Sequence, residues 1–146
     1  MGLIEDVSPG PVALDTQVFI YFIEEERRFL PLVKPLFEAI DRGDLVGVTS
    51  GLTLMEVLVV PYRSGNSVLA DRYESLLTNS RGLRFIEVDR RLLKAAAQVR
   101  ARFKIRPPDA IQVAAALLSN CNSFLTNDRR IPAVPGLKIL QVKNYL

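Results

Sequence analysis

The chain has 146 residues, 49% hydrophobic and 24% charged, a size and balance that suit one folded domain with a real core and exclude a disordered chain. It has no histidine and a single cysteine, Cys121, so an internal disulfide, a Cys/His zinc site and every catalytic scheme that needs histidine are excluded. The formal charge of +3 permits an anionic partner such as nucleic acid, while an acidic N-terminus, the lack of a run of about 18 apolar residues and the lone thiol point to a cytoplasmic protein that spans no membrane.

In chain order, residues 1–11 read as a loose arm carrying Glu5, Asp6 and two prolines. Pro11 to Leu14 is a short buried strand that stops at Asp15, and a very apolar helix, Thr16 to Ile23, should follow directly. Glu24 to Arg28 is an exposed bend. Leu30 to Asp41 is a helix with Pro31 in its first turn and Gly43 past its end. Leu45 to Thr49 is a second strand, and Thr53 to Val60 a helix broken around Pro61. After a turn at 62–66, a helix from Ser67 to Leu77 leads to a strand from Leu83 to Val88. Asp89 then caps a helix whose Leu92, Ala96, Val99 and Phe103 share one face. Pro107-Pro108 restarts the chain into an almost wholly apolar helix, Asp109 to Leu118. Ser123 to Thr126 and Leu137 to Val142 supply two more strands. Strands alternating with helices imply an α/β fold, a parallel sheet of four or five strands covered on both faces.

In such sheets ligands bind beyond the carboxyl ends of the strands, where acidic residues at strand ends and opening helical turns converge. Four acids meet that description: Asp15, Glu56, Asp109 and Asp128. Such a group repels itself unless it is protonated or joined by a cation, and an oxygen-only donor set suits Mg²⁺ or Mn²⁺. Three of the four also have a purely structural reading. Thr53-Leu-Met-Glu56 matches a capping box, Asp109 suits the dipole of a first turn, and Asp128 suits a turn after Asn127. Asp15 is the hardest to explain that way, because it lies between two apolar segments where an uncompensated carboxylate costs several kcal/mol.

The order Leu14-Asp15-Thr16, Thr53-Leu-Met-Glu56-Val57, Pro108-Asp109-Ala-Ile-Gln-Val-Ala114 and Leu125-Thr126-Asn-Asp128 resembles the PIN-domain nucleases, including the VapC type of toxin-antitoxin ribonucleases. The resemblance spans about 12–142. It implies a PIN-like three-layer sandwich and a Mg²⁺- or Mn²⁺-dependent ribonuclease whose acids match Asp15, Glu56, Asp109 and Asp128. Gln17 departs from the small polar residue often found two positions after the first Asp.

From Arg90 to Arg106 there are seven cations and no acid, an arrangement that either positions phosphates or forms a solvated helix face. Arg106, three residues before Asp109, is the best candidate for RNA, followed by Arg129 and Arg130, with Tyr62-Arg63 a weaker stacking pair. Thr16 and Thr126 are expected to orient ligands. With no cation among the motif residues, the acids should repel one another and raise one another's pKa values.

The leading reading is thus an endoribonuclease in which Asp15 and Asp109 bind the metal directly and Glu56 and Asp128 complete the site. Two alternatives stand beside it. One is a non-catalytic domain of the same fold that binds RNA or protein. The other is a haloacid-dehalogenase-like phosphohydrolase, which needs a second Asp where Gln17 stands. An antitoxin is a candidate partner. The apolar richness of Val18 to Ile23 and of the helices around Leu36 and Leu58 favours a homodimer.

Overall fold

A computed structural model describes residues 2–146. Its centre is a five-stranded, wholly parallel sheet in the order β3-β2-β1-β4-β5, built from β1 (Val12–Leu14), β2 (Gly47–Ser50), β3 (Leu83–Ile86), β4 (Ser123–Thr126) and β5 (Lys138–Gln141). Register is fixed by pairs such as Ala13 with Val48 and Ala13 with Phe124. Because side chains alternate across a strand, Val12, Leu14 and Leu125 enter one core while Ala13, Val48 and Phe124 enter the other.

The first core is closed by α1 (Leu3–Val7), α2 (Thr16–Ile23), α3 (Leu30–Arg42), α4 (Gly51–Arg63) and α5 (Ser67–Asn79). There Phe19 meets Phe37 edge-on, with ring centroids 5.5 Å apart. The second is closed by α6 (Arg90–Arg102) and α7 (Pro107–Leu118). Helix α7 lies between the sheet and α6, so Ala110, Val113, Ala114, Ala115 and Ala116 are all buried, and its small side chains are what let it approach both neighbours.

Two glycines have positions no other residue would fill easily. Gly43 closes α3 in the left-handed region at φ 83°. A Cβ at Gly82 would lie 2.2 Å from the Ile40 carbonyl oxygen, so the turn before β3 packs directly on the α3 backbone.

Four expectations need correction. The N-terminal segment is not loose: α1 buries Leu3 and Val7, spaced i and i+4, and Tyr145 clips it by donating to Asp6 Oδ2 at 2.6 Å. Pro61 does not break its helix. It is buried inside α4, which runs on to Arg63, and the carbonyls of Val60 and Pro61 are taken up by the amides of Ser64 and Asn66. The capping box is absent. Ser50 caps α4 by accepting from the Leu52 amide, so Glu56 lies in the second turn and is free of any capping duty. Finally, Val18, Phe19, Ile23 and Leu36 are core residues, so they supply no surplus apolar surface for a dimer. Of the segments expected to carry it, the helix around Leu58, α4, does expose apolar side chains, Met55, Val59, Val60 and Tyr62, while Val68 on α5 and Val88, Leu93, Leu117 and Leu146 are exposed elsewhere.

Three weak acids in this scaffold give it an alkaline limit. Burial pushes the Cys121 thiol up to about 11. Burial, then the bond to Asp6, pushes Tyr145 up to about 12, and burial with the Glu24 bond raises Tyr73 further. Unfolded, these groups titrate at ~8.5 for Cys and ~10 for Tyr. Between the unfolded and folded values the native state holds protons that the unfolded chain has released, so stability falls as pH rises through that window. The melting temperature should be level up to about pH 8.5 and decline above it, and Cys121→Ala should delay the onset to about pH 10. A melting temperature constant from pH 8 to 11 would contradict the assignment.

Candidate active site

The chain runs from β1 to β2 to β3 in one direction along the sheet and then crosses back to place β4 on the other side of β1. The crevice beyond β1 and β4 is therefore a topological switch point, the usual ligand position in open α/β sheets. A cleft of about 220 Å³ opens there, and all four candidate acids, Asp15, Glu56, Asp109 and Asp128, line it with Thr16, Gln17, Gln112, Arg106 and Arg130.

Asp15 ends β1 and caps α2. Its Oδ1 accepts from the Thr16 amide at 2.9 Å and its Oδ2 from the Thr126 hydroxyl at 2.6 Å. Burial raises its pKa most, those two hydrogen bonds pull it back, and the charges of Asp109 and Glu56 raise it again. Asp15 thus behaves as a buried carboxylate in a negative field.

Glu56 accepts from the Thr16 hydroxyl at 2.5 Å. Behind that bond stands a buried polar floor. Gln112 Nε2 donates to Thr53 Oγ1 at 2.8 Å, Thr49 donates to the same oxygen at 2.8 Å, and Ser50 donates to Gln112 Oε1 at 2.7 Å. Thr53 and Thr16 face each other at 3.4 Å. Since the Thr16 proton is committed to Glu56, Thr53 is the donor there, and the donors run from Gln112 through two hydroxyls toward the carboxylate.

Asp109 lies in the first turn of α7, where the helix dipole favours an anion. Its Oδ2 is gripped by Arg106, with Nε at 2.8 Å and Nη2 at 2.6 Å, and the same Nη2 reaches Asp128 Oδ2 at 2.7 Å. Asp128 is also held from outside by Arg130, through the backbone amide at 2.9 Å and Nε at 3.0 Å, both on Oδ1. Those contacts, with the Arg130 side-chain bond the largest, hold the Asp128 carboxyl below its ordinary value. The turn reading of Asp128 therefore holds alongside its place in the cleft.

The sequence brings these residues to one cleft but misassigns several roles. The acids are not without cations: Arg106 and Arg130 pair with Asp109 and Asp128, so the expected mutual raising is found at Asp15, where burial is the larger cause, while Asp128 is lowered. Thr126 is fully buried and spends its proton on Asp15, and Thr16 spends its own on Glu56, so both position acids. Arg129 is exposed and outside the cleft, whose wall is Arg130 because its amide and guanidinium fold back on Asp128. Arg90, Arg91 and Lys94 lie on the exposed face of α6. Gln112 and Thr53 were missed, although Gln112 is the one polar side chain after Asp109 in the apolar run to Leu118.

The donors fit a hard divalent cation in kind, being oxygen-only. Gln17 adds an orphan, since its buried Oε1 has no hydrogen-bond partner and the residue lines the cleft. As the side chains stand, no three of the acids converge as a ready-made metal site among the described residues. Arg106 lies between two of them.

The PIN domain family model matches residues 12–137 of this chain, a span that contains all four acids. Three solved structures share the fold. VapBC2 from Rickettsia felis, bound to a promoter DNA fragment, is 15% identical with a TM-score of 0.67, covering 89% of this chain and 97% of that one. A toxin-antitoxin complex from Klebsiella pneumoniae is 22% identical with a TM-score of 0.64, covering 87% and 95%. VapC20 from Mycobacterium tuberculosis, a toxin that cleaves the sarcin-ricin loop, is 17% identical with a TM-score of 0.62, covering 78% and 87%. A comparison with curated proteins finds no match. No helix among the described residues is long and apolar enough to cross a membrane.

Proposed function

This chain belongs to the PIN-domain family, and on that premise we propose that it is a single-domain, cytoplasmic, divalent-metal-dependent endoribonuclease, the toxin of a toxin-antitoxin pair. The observation that carries the reading is the cleft itself, where Asp15, Glu56, Asp109 and Asp128 come from four different elements to one switch point with arginines at the mouth. The dehalogenase-like alternative falls, because the family match covers most of the chain and Gln17 stands where that chemistry needs a second Asp.

Asp15 and Asp109 would hold Mg²⁺ or Mn²⁺ directly, with Glu56 and Asp128 completing the site. Bound there, the cation would supply an activated water and offset charge on the phosphoryl oxygens, chemistry that suits hydrolysis to a 5′-phosphate and a 3′-hydroxyl. The chain's own residues do the positioning. Thr126 and the Thr16 amide fix both oxygens of Asp15, and the Thr16 hydroxyl fixes Glu56. Arg106, 44% exposed at the side chain, can turn to an RNA phosphate, and Arg130 adds a second cation at the wall of the same cleft. The lack of histidine agrees with this scheme, since attack by the RNA 2′-hydroxyl usually employs a histidine as base or acid.

An antitoxin is the proposed protein partner, as in the complexes of the structural relatives, and a second copy of the chain is the proposed oligomer. The exposed α4 residues Met55, Val59, Val60 and Tyr62 support an apolar contact surface of that kind.

The test is cleavage of a labelled single-stranded RNA by purified protein with Mn²⁺, with Mg²⁺ and with excess EDTA, scored for end chemistry. Cleavage that persists in EDTA, or that leaves a cyclic 2′,3′-phosphate, would overturn the mechanism.

A further inference from the structure

We propose that Arg106 is a built-in counter-cation that occupies the Asp109–Asp128 pair in the metal-free protein and competes there with the divalent ion. This inference rests on the reading that the cleft takes such an ion. Its foundation is one atom: Arg106 Nη2 stands 2.6 Å from Asp109 Oδ2 and 2.7 Å from Asp128 Oδ2, so two carboxylates from different elements face each other across a single charged nitrogen. A hard divalent cation held by the same acids would need those carboxylate oxygens for itself, at about 2.1 Å for a small ion. Both cannot hold them at once.

The local sequence builds this arrangement. Arg106 is the N-cap of α7 and immediately precedes Pro107, which restricts its backbone to the extended conformation observed, φ −72° and ψ 152°. Its Cα is therefore fixed relative to Asp109, while its long side chain is 44% exposed against 11% for each aspartate. The anchored end keeps the guanidinium within reach and the exposed end lets it leave. Arg130 is built differently. It binds Asp128 alone, through Nε on Oδ1 at 3.0 Å and Nη2 on Oδ2 at 3.1 Å, and makes no hydrogen bond or ion pair with Asp109, so it neutralises one of the two acids and does not bridge them.

Two consequences follow with opposite signs. Removing the Arg106 charge deletes a competitor at the acid pair, so the divalent ion binds more tightly. It also deletes a cation that, once displaced, faces an incoming phosphate, so RNA binds more weakly. A merely structural arginine would weaken both or neither.

The experiment measures Mn²⁺ binding by calorimetry, and by loss of the free-ion EPR signal, for wild type, Arg106→Gln, Arg130→Gln and Asp15→Asn in the absence of RNA. Arg106→Gln is expected to lower the Mn²⁺ Kd by about 3- to 10-fold, the range given by one partly exposed ion-pair competitor facing two carboxylates. Arg130→Gln, which frees one carboxylate and not two, should lower it less than Arg106→Gln does. Asp15→Asn should weaken it. In parallel, Arg106→Gln should bind single-stranded RNA more weakly, with a salt dependence flatter by about 0.7 in log-log slope. If Mn²⁺ binds Arg106→Gln no more tightly than wild type, the proposal is overturned. Should wild type bind no Mn²⁺, the proposal requires Arg106→Gln to create binding, and silence from both also overturns it. Tighter Mn²⁺ binding by a variant set that cuts no RNA would sink the nuclease reading and leave the counter-cation in place.

Discussion

Asp15→Asn should abolish metal-dependent RNA cleavage, with a loss beyond the roughly 10- to 100-fold typical of changes around a metal site's ligands. The substitution is nearly isosteric, and an Asn oxygen can still accept from the Thr16 amide and cap α2. Its amide NH₂ then faces Thr126, whose hydroxyl, released from donating to Asp15, can accept from it. The variant therefore loses the negative charge while the fold is retained. Because Asp15 is buried and its pKa is raised by burial and by its acidic neighbours, losing that charge should leave the metal-free protein at least as stable as wild type near neutral pH. Activity and melting temperature thus separate the two roles of this residue. An Asp15→Asn protein that cuts RNA at the wild-type rate would assign the cleavage to another site or to a contaminant.

The second large effect is expected at Gln112. Replacing it with Leu keeps the volume but strands the Ser50 hydroxyl and removes one donor from Thr53, both buried. A buried polar group left without its partner costs about 1–3 kcal/mol, which for a chain of this length is a fall of roughly 3–10 °C in melting temperature. Adding Ser50→Ala should recover part of that loss, because deleting both partners is less costly than deleting one. The same substitution ends the donor run toward Glu56, so cleavage should fall even at temperatures where the variant is folded. A Gln112→Leu protein with wild-type stability would show that Ser50 and Thr53 find other partners.

Both predictions concern residues that the sequence exposes unequally. Asp15 was legible because a carboxylate between apolar segments has no inexpensive alternative. The parallel sheet was legible because Val12–Leu14, Gly47–Ser50 and Ser123–Thr126 are short runs buried on both faces. Glu56 was ambiguous, since Thr53-Leu-Met-Glu56 is also a capping pattern, and only the true cap at Ser50 decides the matter. Arg106 was legible as a cation near Asp109, but not as its partner, because the second contact reaches Asp128, 22 residues away. The Gln112 network escaped for the same reason: Ser50 and Gln112 are 62 residues apart, and nothing local marks two such residues as neighbours. The α1 helix was misread because five residues with two prolines after them carry too short a pattern, and what orders them is Tyr145 at the other end of the chain.

The central strand β1 has neighbours of very different age. Its partner β2 arrives within a few dozen residues, whereas β4 is made last but one, and the bond from Thr126 to Asp15 spans 111 positions. During synthesis, at about 5–20 residues per second, Asp15 and Glu56 are added to the chain several seconds before Asp109 and Asp128. Half the acids, and the strand edge that positions them, thus wait on the second half of the chain, and the pairing that completes them is the kind that forms slowly. For a nuclease of the kind proposed, the growing polypeptide is harmless to its own messenger and to the ribosome carrying it until Asp128 has been made and β4 has paired with β1.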